Sequence, residues 1–313
     1  MIKVLFLDQV HGALEKGLEA GSYHCVDGTA MDRDTIRREL ADTEGIVIRS
    51  RFPMTEEFLK DAPKLRFIAR SGAGMENIDE NYCQQRGIIL INAPEGNRNA
   101  VGEHALAMLL ALLNKLHTAD RDVRSGLWER EKNRGEELDG KTVGIIGYGN
   151  NGSAFARKLR GFDVRVLAYD KYKTAFGDDW VRESTMSELF EQADVISFHI
   201  PQNEETIFMG DRTFFESFKK QLFVINLARG KIVRIADLLQ AITSGKVKGA
   251  ALDVLEFEKS SFENMFEGEM PQEFKELLDS DQVILSPHVG GWTQESYRRL
   301  SEVLLEKIRN QFG

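Results

Sequence analysis

The stretch that decides the fold is Thr142-Val-Gly-Ile-Ile-Gly147-Tyr-Gly149-Asn-Asn-Gly152, in which the glycine spacing G-x-G-x-x-G directly follows an apolar, β-branched run. A helical pattern follows the glycines, and the next apolar run ends in Asp170, 18 residues after Gly152. Strand, glycine turn and helix in this order predict a dinucleotide-binding unit, because glycines let the backbone approach the pyrophosphate at the helix N-terminus. Asp170 favours NAD over NADP, because a carboxylate at this position accepts hydrogen bonds from the ribose hydroxyls and repels a 2′-phosphate. Lys171 beside it weakens this preference.

A second glycine motif competes with this interpretation. Residues Gly135-Glu-Glu-Leu-Asp-Gly140-Lys141-Thr142 match the triphosphate-binding spacing G-x-x-x-x-G-K-[ST]. Such a loop must follow a strand and open a helix, whereas this one precedes a strand, and its three acids would repel phosphates. We therefore treat the match as chance, and a nucleotide triphosphatase becomes a remote alternative.

Composition excludes several classes of protein. The chain has 313 residues with 41 Lys and Arg against 50 Asp and Glu, a net charge of −9, which argues against a nucleic-acid binder. Its longest apolar run, 105–113, is shorter than the ~20 residues that a membrane span needs. The N-terminal segment lacks a signal-peptide cleavage site. We expect a cytoplasmic protein without a membrane span, and with Cys25 and Cys83 as free thiols.

Two series of apolar runs alternate with helical patterns along the chain. Because the runs are continuously apolar, they predict strands buried on both faces, as in parallel sheets covered by helices. The predicted strands are 3–7, 45–49, 65–69 and 88–92, then 142–147, 164–169, 195–200, 223–227, 249–254 and 283–286. The polar stretch 93–100 leads into an apolar helix from 101 to about 117, and a last helix covers 294–311. The fold class is therefore α/β, with two doubly wound parallel-sheet domains and a cleft between them.

Charged residues follow several strands of the second series, at the sheet edge where such folds bind ligands. They are Arg229, Asp253, Glu258 and His288. Hydride exchange between a nicotinamide and a 2-hydroxy or 2-keto acid needs a cation for the carboxylate, an acid/base for the hydroxyl proton and a partner for that base. Arginine, histidine and glutamate suit these tasks. Taken singly, Arg229 could equally form a surface ion pair, and His288 could be structural.

Taken together, four stretches resemble the D-isomer-specific 2-hydroxyacid dehydrogenases in order and spacing. They are Thr142–Gly152 as quoted above, Asn226-Leu-Ala-Arg-Gly230, Ala250-Ala-Leu-Asp-Val-Leu-Glu-Phe-Glu258 and Ser286-Pro-His-Val-Gly-Gly291. The resemblance implies that Arg229 binds the substrate, that His288 is the general acid/base, and that Glu258 rather than Glu256 is its partner. It also implies a Rossmann NAD-binding domain over 99–287 and a discontinuous, flavodoxin-like substrate domain over 1–98 and 288–313.

The same resemblance implies further contacts. Ser71-Gly72-Ala73-Gly74 is similar to the family's substrate-carboxylate loop, with backbone N–H groups at a helix start. Arg51 is expected to meet a substrate phosphate, and Trp292 to close the pocket. No metal is expected. The expected cofactor-binding residues are Gly147, Gly149, Asn150, Asn151, Gly152, Tyr169, Asp170, His199, Pro201, Thr206, Leu227, Ala228, Asp253 and Gly290.

These features favour an NAD-dependent oxidoreductase acting on a small D-2-hydroxy acid or 2-keto acid, with 3-phosphoglycerate as a possible substrate. A homodimer is expected from the resemblance alone. The alternative is an NAD(H)-sensing protein that binds a partner and uses the same scaffold without turnover.

Overall fold

Five short parallel strands form the sheet of the first unit of the protein, whose computed structural model describes residues 1–258 and 270–313. The strands are β1 (Ile2–Phe6), β2 (Tyr23–Asp27), β3 (Gly45–Ile48), β4 (Phe67–Arg70) and β5 (Ile89–Asn92). Their spatial order is β2-β1-β3-β4-β5, which is the flavodoxin-like order. The intervening helices are α1 (Ala13–Glu19), α2 (Arg33–Leu40), α3 (Glu56–Leu59) and α4 (Glu80–Arg86).

Two helices lead into the second unit. The long helix α5 (Pro94–Leu113) is followed by α6 (Leu116–Arg124), and the two are separated at Lys115, whose φ of 51° is left-handed. The polar stretch 93–100, which we expected to precede the helix, instead forms about its first two turns from Pro94 onward. Pro94 is the first helical residue, where its fixed φ fits and its missing N–H costs nothing.

The second unit contains a seven-stranded parallel sheet in the order β12-β11-β10-β9-β6-β7-β8. Its strands are β6 (Thr142–Ile146), β7 (Arg165–Tyr169), β8 (Val181–Glu183), β9 (Val195–Phe198), β10 (Leu222–Asn226), β11 (Val247–Leu252) and β12 (Val283–Leu285). Its helices are α7 (Asn150–Lys158), α8 (Met186–Gln192), α9 (Arg212–Glu216), α10 (Ile235–Thr243) and α11 (Gln272–Asp279). The strand order reverses between β6 and β9, as in a Rossmann sheet.

The last helix, α12 (Gln294–Phe312), belongs to the first unit and packs on its sheet through Leu300, Leu304 and Ile308. The first unit therefore comprises Met1–Arg98 and Trp292–Gly313, and the second comprises Asn99–Glu258 and 270–291. This division keeps 288–291 with the second unit, whereas the sequence-based boundary placed them in the first. The reason is that the backbone N–H groups of Val289 and Gly290 are bonded to Asp253.

The predicted α/β class with two parallel sheets is confirmed, but two edge strands were not predicted. Strand β2 carries polar residues and is only partly buried, and β8 has three residues. Neither is continuously apolar, so the pattern used for the central strands does not detect them. In the part of the chain that the structure describes, no helix is long and apolar enough to cross a bilayer.

Both cysteines are free, as expected. Cys83 lies in the core of the first unit, and Cys25 lies on β2. Burial raises the pKa of Cys25 to about 12 and that of Cys83 to about 11, with nearby carboxylates adding to the effect at both thiols.

Candidate active site

The glycine turn after β6 shows why each of its three glycines is needed. Gly147 has a φ of +91°, and a Cβ there would lie 2.6 Å from the carbonyl oxygen of His199. A Cβ on Gly152 would lie 2.0 Å from the carbonyl oxygen of Gly147, whereas a Cβ on Gly149 would meet no atom within 4 Å. The first and third glycines therefore allow close packing of the turn, and the second leaves open space at the N-terminus of α7.

This turn fits a dinucleotide. The open space at Gly149 lies at the helix N-terminus, where backbone N–H groups and the helix dipole favour a phosphate. Asn150 and Asn151 are the first residues of that helix, so their backbone N–H groups lie in its first turn. The structure therefore offers an open cradle with backbone N–H donors where the pyrophosphate is predicted.

Asp170 lies just beyond β7 and organises the loops around it. Its Oδ2 atom accepts the N–H of Tyr148 at 2.8 Å, and its Oδ1 atom accepts those of Tyr172 and Lys173 at 3.0 Å each. A carboxylate has about four acceptor positions, so one remains for a ribose hydroxyl. The preceding residue, Tyr169, contributes its carbonyl oxygen to the N–H of Gly147 at 2.8 Å.

Lys171 does not extend freely beside Asp170. Its Nζ atom lies 2.5 Å from Glu205 Oε2, which also accepts the hydroxyl of Tyr172 at 3.0 Å. The lysine charge is thus partly neutralised by a carboxylate. This pairing reduces the attraction that Lys171 would have for a 2′-phosphate and favours NAD.

The segment after β9 borders the glycine turn. His199 Nε2 is 2.8 Å from Ser197 Oγ, and its ring packs against Phe155 with centroids 5.5 Å apart. Burial lowers the pKa of His199 to about 3, so its ring is neutral at physiological pH. Beyond it, Thr206 Oγ1 donates to the carbonyl oxygen of Pro201 at 2.7 Å and closes the loop. These residues can shape a cofactor surface without adding charge to it.

His288 and Glu258 form the central pair of the site. His288 Nδ1 lies 2.7 Å from Glu258 Oε2, and the other carboxylate oxygen accepts the N–H of Leu255 at 2.5 Å. The backbone of His288 is left-handed, with a φ of 55°, which is uncommon for a residue with a side chain. Glu256 has a different task, since its Oε1 atom accepts the N–H of Ile235 at the start of α10.

Asp253 supports the turn that carries His288. The side chain is 2% exposed, and its oxygens accept the N–H of Val289 at 2.9 Å and that of Gly290 at 2.7 Å. Its carbonyl oxygen also accepts the N–H of His288 at 2.8 Å. Whether Asp253 also contacts a nicotinamide remains a prediction.

Arg229 follows β10 on a tightly packed turn. Asn226 Nδ2 donates to the carbonyl oxygen of Arg229 at 2.9 Å, and Leu227 and Ala228 are buried beside it. A Cβ on Gly230 would lie 1.9 Å from the carbonyl oxygen of Leu255, whose N–H is bonded to Glu258. The turn that carries Arg229 therefore packs directly on the segment that holds the Glu258–His288 pair.

In the first unit, the Ser71–Gly74 loop follows β4 but does not begin a helix, because α4 starts only at Glu80. Within residues 1–258 and 270–313, the N–H groups of Ala73 and Gly74 have no acceptor, and the buried hydroxyl of Ser71 has no partner. The guanidinium of Arg70 lies directly beside Gly72, where a Cβ would be 2.3 Å from its Nη1 atom. The loop thus presents several donors beside a cation.

The expectation that Arg51 binds a substrate phosphate is not supported. Its guanidinium donates to three backbone carbonyls, those of Leu7 at 3.1 Å, Gly28 at 2.9 Å and Met31 at 2.9 Å. These acceptors come from loops far apart in sequence, so no local pattern could reveal them. Arg51 therefore links, through hydrogen bonds, the segments of the first unit that follow β1 and β2.

Sequence analysis missed two arginines of this region. The Arg49 guanidinium lies 4.1 Å from the centroid of the Trp292 ring, which is 58% exposed, and the carbonyl oxygen of Arg49 accepts Arg70 Nε at 3.3 Å. Arg49 is therefore a neighbour of Arg70, whose guanidinium lies beside the Ser71–Gly74 loop. The motif Ile48-Arg-Ser-Arg51 indicated an arginine in this region, but not that Arg49 rather than Arg51 contacts Arg70 and Trp292.

The glycine turn leads to a testable difference between two single substitutions. Gly152→Ala should lower the free energy of unfolding by about 1–3 kcal/mol, because the new Cβ meets a backbone oxygen. Gly149→Ala should unfold like the wild type but bind NADH about tenfold more weakly, because its Cβ enters the space predicted for the pyrophosphate. Urea denaturation and NADH fluorescence titration measure the two effects. Unimpaired NADH binding by Gly149→Ala would contradict this position for the pyrophosphate.

Comparisons with known proteins show which family the chain resembles. Residues 106–290 match the family model described as "D-isomer specific 2-hydroxyacid dehydrogenase, NAD binding domain". This match supports NAD as the cofactor, and the matched residues include the glycine turn, Arg229, Glu258 and His288.

Individual relatives extend the similarity over nearly the whole chain. A D-3-phosphoglycerate dehydrogenase of Archaeoglobus fulgidus is 39% identical over 284 residues, which cover 90% of this chain and 52% of that protein. The chain therefore spans about half the length of that relative. A hydroxypyruvate reductase of Thermotoga maritima is 32% identical over 283 residues, which cover 90% of this chain and 89% of that protein.

A solved structure gives the same result. The D-lactate dehydrogenase of Aquifex aeolicus, crystallised with NAD and lactic acid, is 27% identical and superposes with a TM-score of 0.81. The superposition covers 99% of this chain and 95% of that one. On this evidence, the protein belongs to the D-isomer specific 2-hydroxyacid dehydrogenase family.

Proposed function

We propose that this protein is an NAD-dependent dehydrogenase that interconverts a D-2-hydroxy acid and the corresponding 2-keto acid. The observation that carries the proposal is the 2.7 Å contact between His288 Nδ1 and Glu258 Oε2 in a chain of this family. A histidine oriented by a carboxylate can hold and release a proton near neutral pH. Such a proton must move whenever a carbonyl is reduced to a hydroxyl.

The side chains have separable roles in this proposal. NAD, when bound, supplies or accepts the hydride. Because a carboxylate only accepts hydrogen bonds, Glu258 fixes the His288 proton on Nδ1 and leaves Nε2 to exchange the substrate proton. Arg229 binds the substrate carboxylate and polarises the adjacent carbonyl, a task suited to its planar, bidentate guanidinium.

For the substrate, we propose a small 2-keto acid with a second anionic group, and phosphohydroxypyruvate, the keto form of 3-phosphoglycerate, is the first candidate. Arg70 lies beside a loop in which, among the described residues, two N–H groups and the hydroxyl of Ser71 have no partner, and Arg49 accepts Arg70 Nε through its carbonyl oxygen. Buried polar atoms in proteins are usually satisfied, so such donors suit an anionic ligand. The similarity to a phosphoglycerate dehydrogenase supports the same choice.

We also propose that the protein forms a homodimer through α6 and the residues after it. Leu116 and Val123 are seven positions apart on α6, hence on one helix face, and both are exposed. Leu127 and Trp128 follow, and Trp128 is 78% exposed. Clustered exposed apolar side chains of this kind favour a protein interface.

Turnover tests the proposed activity directly. NADH oxidation should occur with one or more of phosphohydroxypyruvate, hydroxypyruvate, glyoxylate and pyruvate. His288→Gln should lower kcat about 10²- to 10⁴-fold, because the proton donor is lost. NADH affinity should stay within about twofold, since the glycine turn is untouched. The exposed His24→Gln variant is the matched control. NADH binding without turnover on any acid would favour the sensing alternative.

The two arginine positions should respond differently to the same substitution. Arg49→Met should raise the KM for phosphohydroxypyruvate about tenfold or more, because the guanidinium that stacks on Trp292 is lost next to Arg70. Arg51→Met should leave KM nearly unchanged but lower the free energy of unfolding by about 1–3 kcal/mol, since three carbonyls lose their donor. Steady-state kinetics and urea denaturation distinguish them. A KM effect confined to Arg51→Met would restore Arg51 as the phosphate ligand.

The oligomeric state tests the proposed interface. Trp128→Glu combined with Val123→Glu should convert a dimer into a monomer, because two charges would be buried at the apolar face. Light scattering coupled to gel filtration measures the mass. Tyr172→Ser, which removes an exposed aromatic ring elsewhere on the second unit, should remain dimeric. A wild-type monomer at micromolar concentration would refute the proposal.

A further inference from the structure

We propose that His104 is a positioning residue for the turn that carries His288, and that it acts through Ser286 and Asp253. The proposal rests on the proposed function in one respect, namely that His288 exchanges the substrate proton. His104 lies on α5 and touches neither His288 nor Glu258 in the hydrogen bonds described above. Its influence on the reaction is therefore indirect.

Three polar side chains form a continuous chain beneath the turn. His104 Nε2 lies 3.0 Å from Ser286 Oγ and 3.6 Å from Asp253 Oδ1. Ser286 Oγ in turn lies 2.5 Å from the same Asp253 oxygen. All three residues belong to the second unit, and Asp253 is almost completely buried.

The direction of each hydrogen bond in this chain follows from chemistry. A carboxylate only accepts, so the single hydrogen of the Ser286 hydroxyl points at Asp253. The Ser286 oxygen can then only accept from His104, which must carry its proton on Nε2. The Met108 sulfur, 3.6 Å from Ser286 Oγ, is a weak acceptor and does not compete with a carboxylate. His104 is thus the donor at the end of the chain.

The far end of the chain determines the backbone around His288. Asp253 accepts the N–H groups of Val289 and Gly290 through its side chain and that of His288 through its carbonyl oxygen. Gly290 has no space for a side chain, because a Cβ there would lie 2.9 Å from Asp253 Oδ2. A change in the orientation of the Asp253 carboxylate therefore moves the turn.

The turn needs this support because His288 is in a left-handed conformation, with a φ of 55°. Residues with side chains keep such a conformation only when their surroundings impose it. On its other side, the imidazole is aligned by Glu258 at 2.7 Å. Through Asp253, His104 and Ser286 add to the contacts that hold the turn, and with it the imidazole, in place beside Glu258.

Four variants separate a hydrogen-bond role from simple packing. His104→Leu and Ser286→Ala remove the donor and the hydroxyl, respectively. His104→Gln keeps an N–H donor at a similar position, and Ser286→Thr keeps the hydroxyl. His117→Leu, which removes another half-buried histidine of the second unit, is the matched control. Ser286→Ala is the smallest change and covers the case in which His104→Leu does not fold.

Kinetics should show rescue by the conservative variants. His104→Leu and Ser286→Ala should each lower kcat about 10- to 100-fold with KM nearly unchanged, because a displaced base slows the chemical step. His104→Gln and Ser286→Thr should stay within about threefold of the wild type, as should His117→Leu. The kcat of the double variant His104→Leu/Ser286→Ala should lie within about twofold of the lower kcat of the two single variants. Both substitutions interrupt the same hydrogen-bond chain, so their effects should not multiply.

A measurement independent of turnover completes the test. In the proton NMR spectrum of the protein, the His288 Nδ1–H donated to Glu258 should give a downfield signal that is lost in His288→Gln. This signal should shift or broaden in His104→Leu and Ser286→Ala but persist in His104→Gln. Equal behaviour of His104→Leu and His104→Gln, or multiplied effects in the double variant, would overturn the proposal. If the wild type turned over no acid, the proposed function would fail, and the NMR comparison would still decide the role of His104.

Discussion

A parallel sheet brings the carboxyl ends of its strands to one edge, and the chemistry of the second unit depends on this constraint. The residues that follow its strands along the chain meet there although they are far apart in sequence: Gly147 after β6, Asp170 after β7, His199 after β9, Arg229 after β10, Asp253 after β11 and His288 after β12. At this edge the carboxylates of Asp170 and Asp253 accept several hydrogen bonds from backbone and hydroxyl groups. Backbone and hydroxyl dipoles thus stabilise negative charge there and fix the loops at the same time.

Much of this fold could be predicted from the sequence because buried parallel strands must be apolar on both faces. The glycine spacing after β6 then predicted a dinucleotide-binding unit, because it lies between a buried strand and a helix and is followed by an acid after the next strand. Strands β2 and β8 could not be found in this way. They lie at sheet edges, where one side is exposed and polar residues are tolerated.

The role of a site residue could be predicted where a motif contains a single residue of the required type. It could not be predicted where two residues of the same type lie close together in the sequence. The pairing of Glu258 with His288 followed from a motif, and the structure places these side chains in contact. Arg49 and Arg51 are two positions apart, and only the tertiary positions of three distant carbonyls show that Arg51 is already bonded. The chain from His104 through Ser286 was invisible for the same reason, because it joins α5 to the end of β12 across 182 residues.

The two native thiols have a practical consequence for physical studies of the protein. Thiolate, not thiol, reacts with maleimides and disulfides, and burial raises the pKa of the Cys25 thiol well above neutral pH, which keeps it protonated. Cys83 is similarly unreactive because its pKa is about 11. Dyes or spin labels can therefore be attached to a single introduced surface cysteine in the otherwise native chain. Motions of each unit then become measurable without a cysteine-free background.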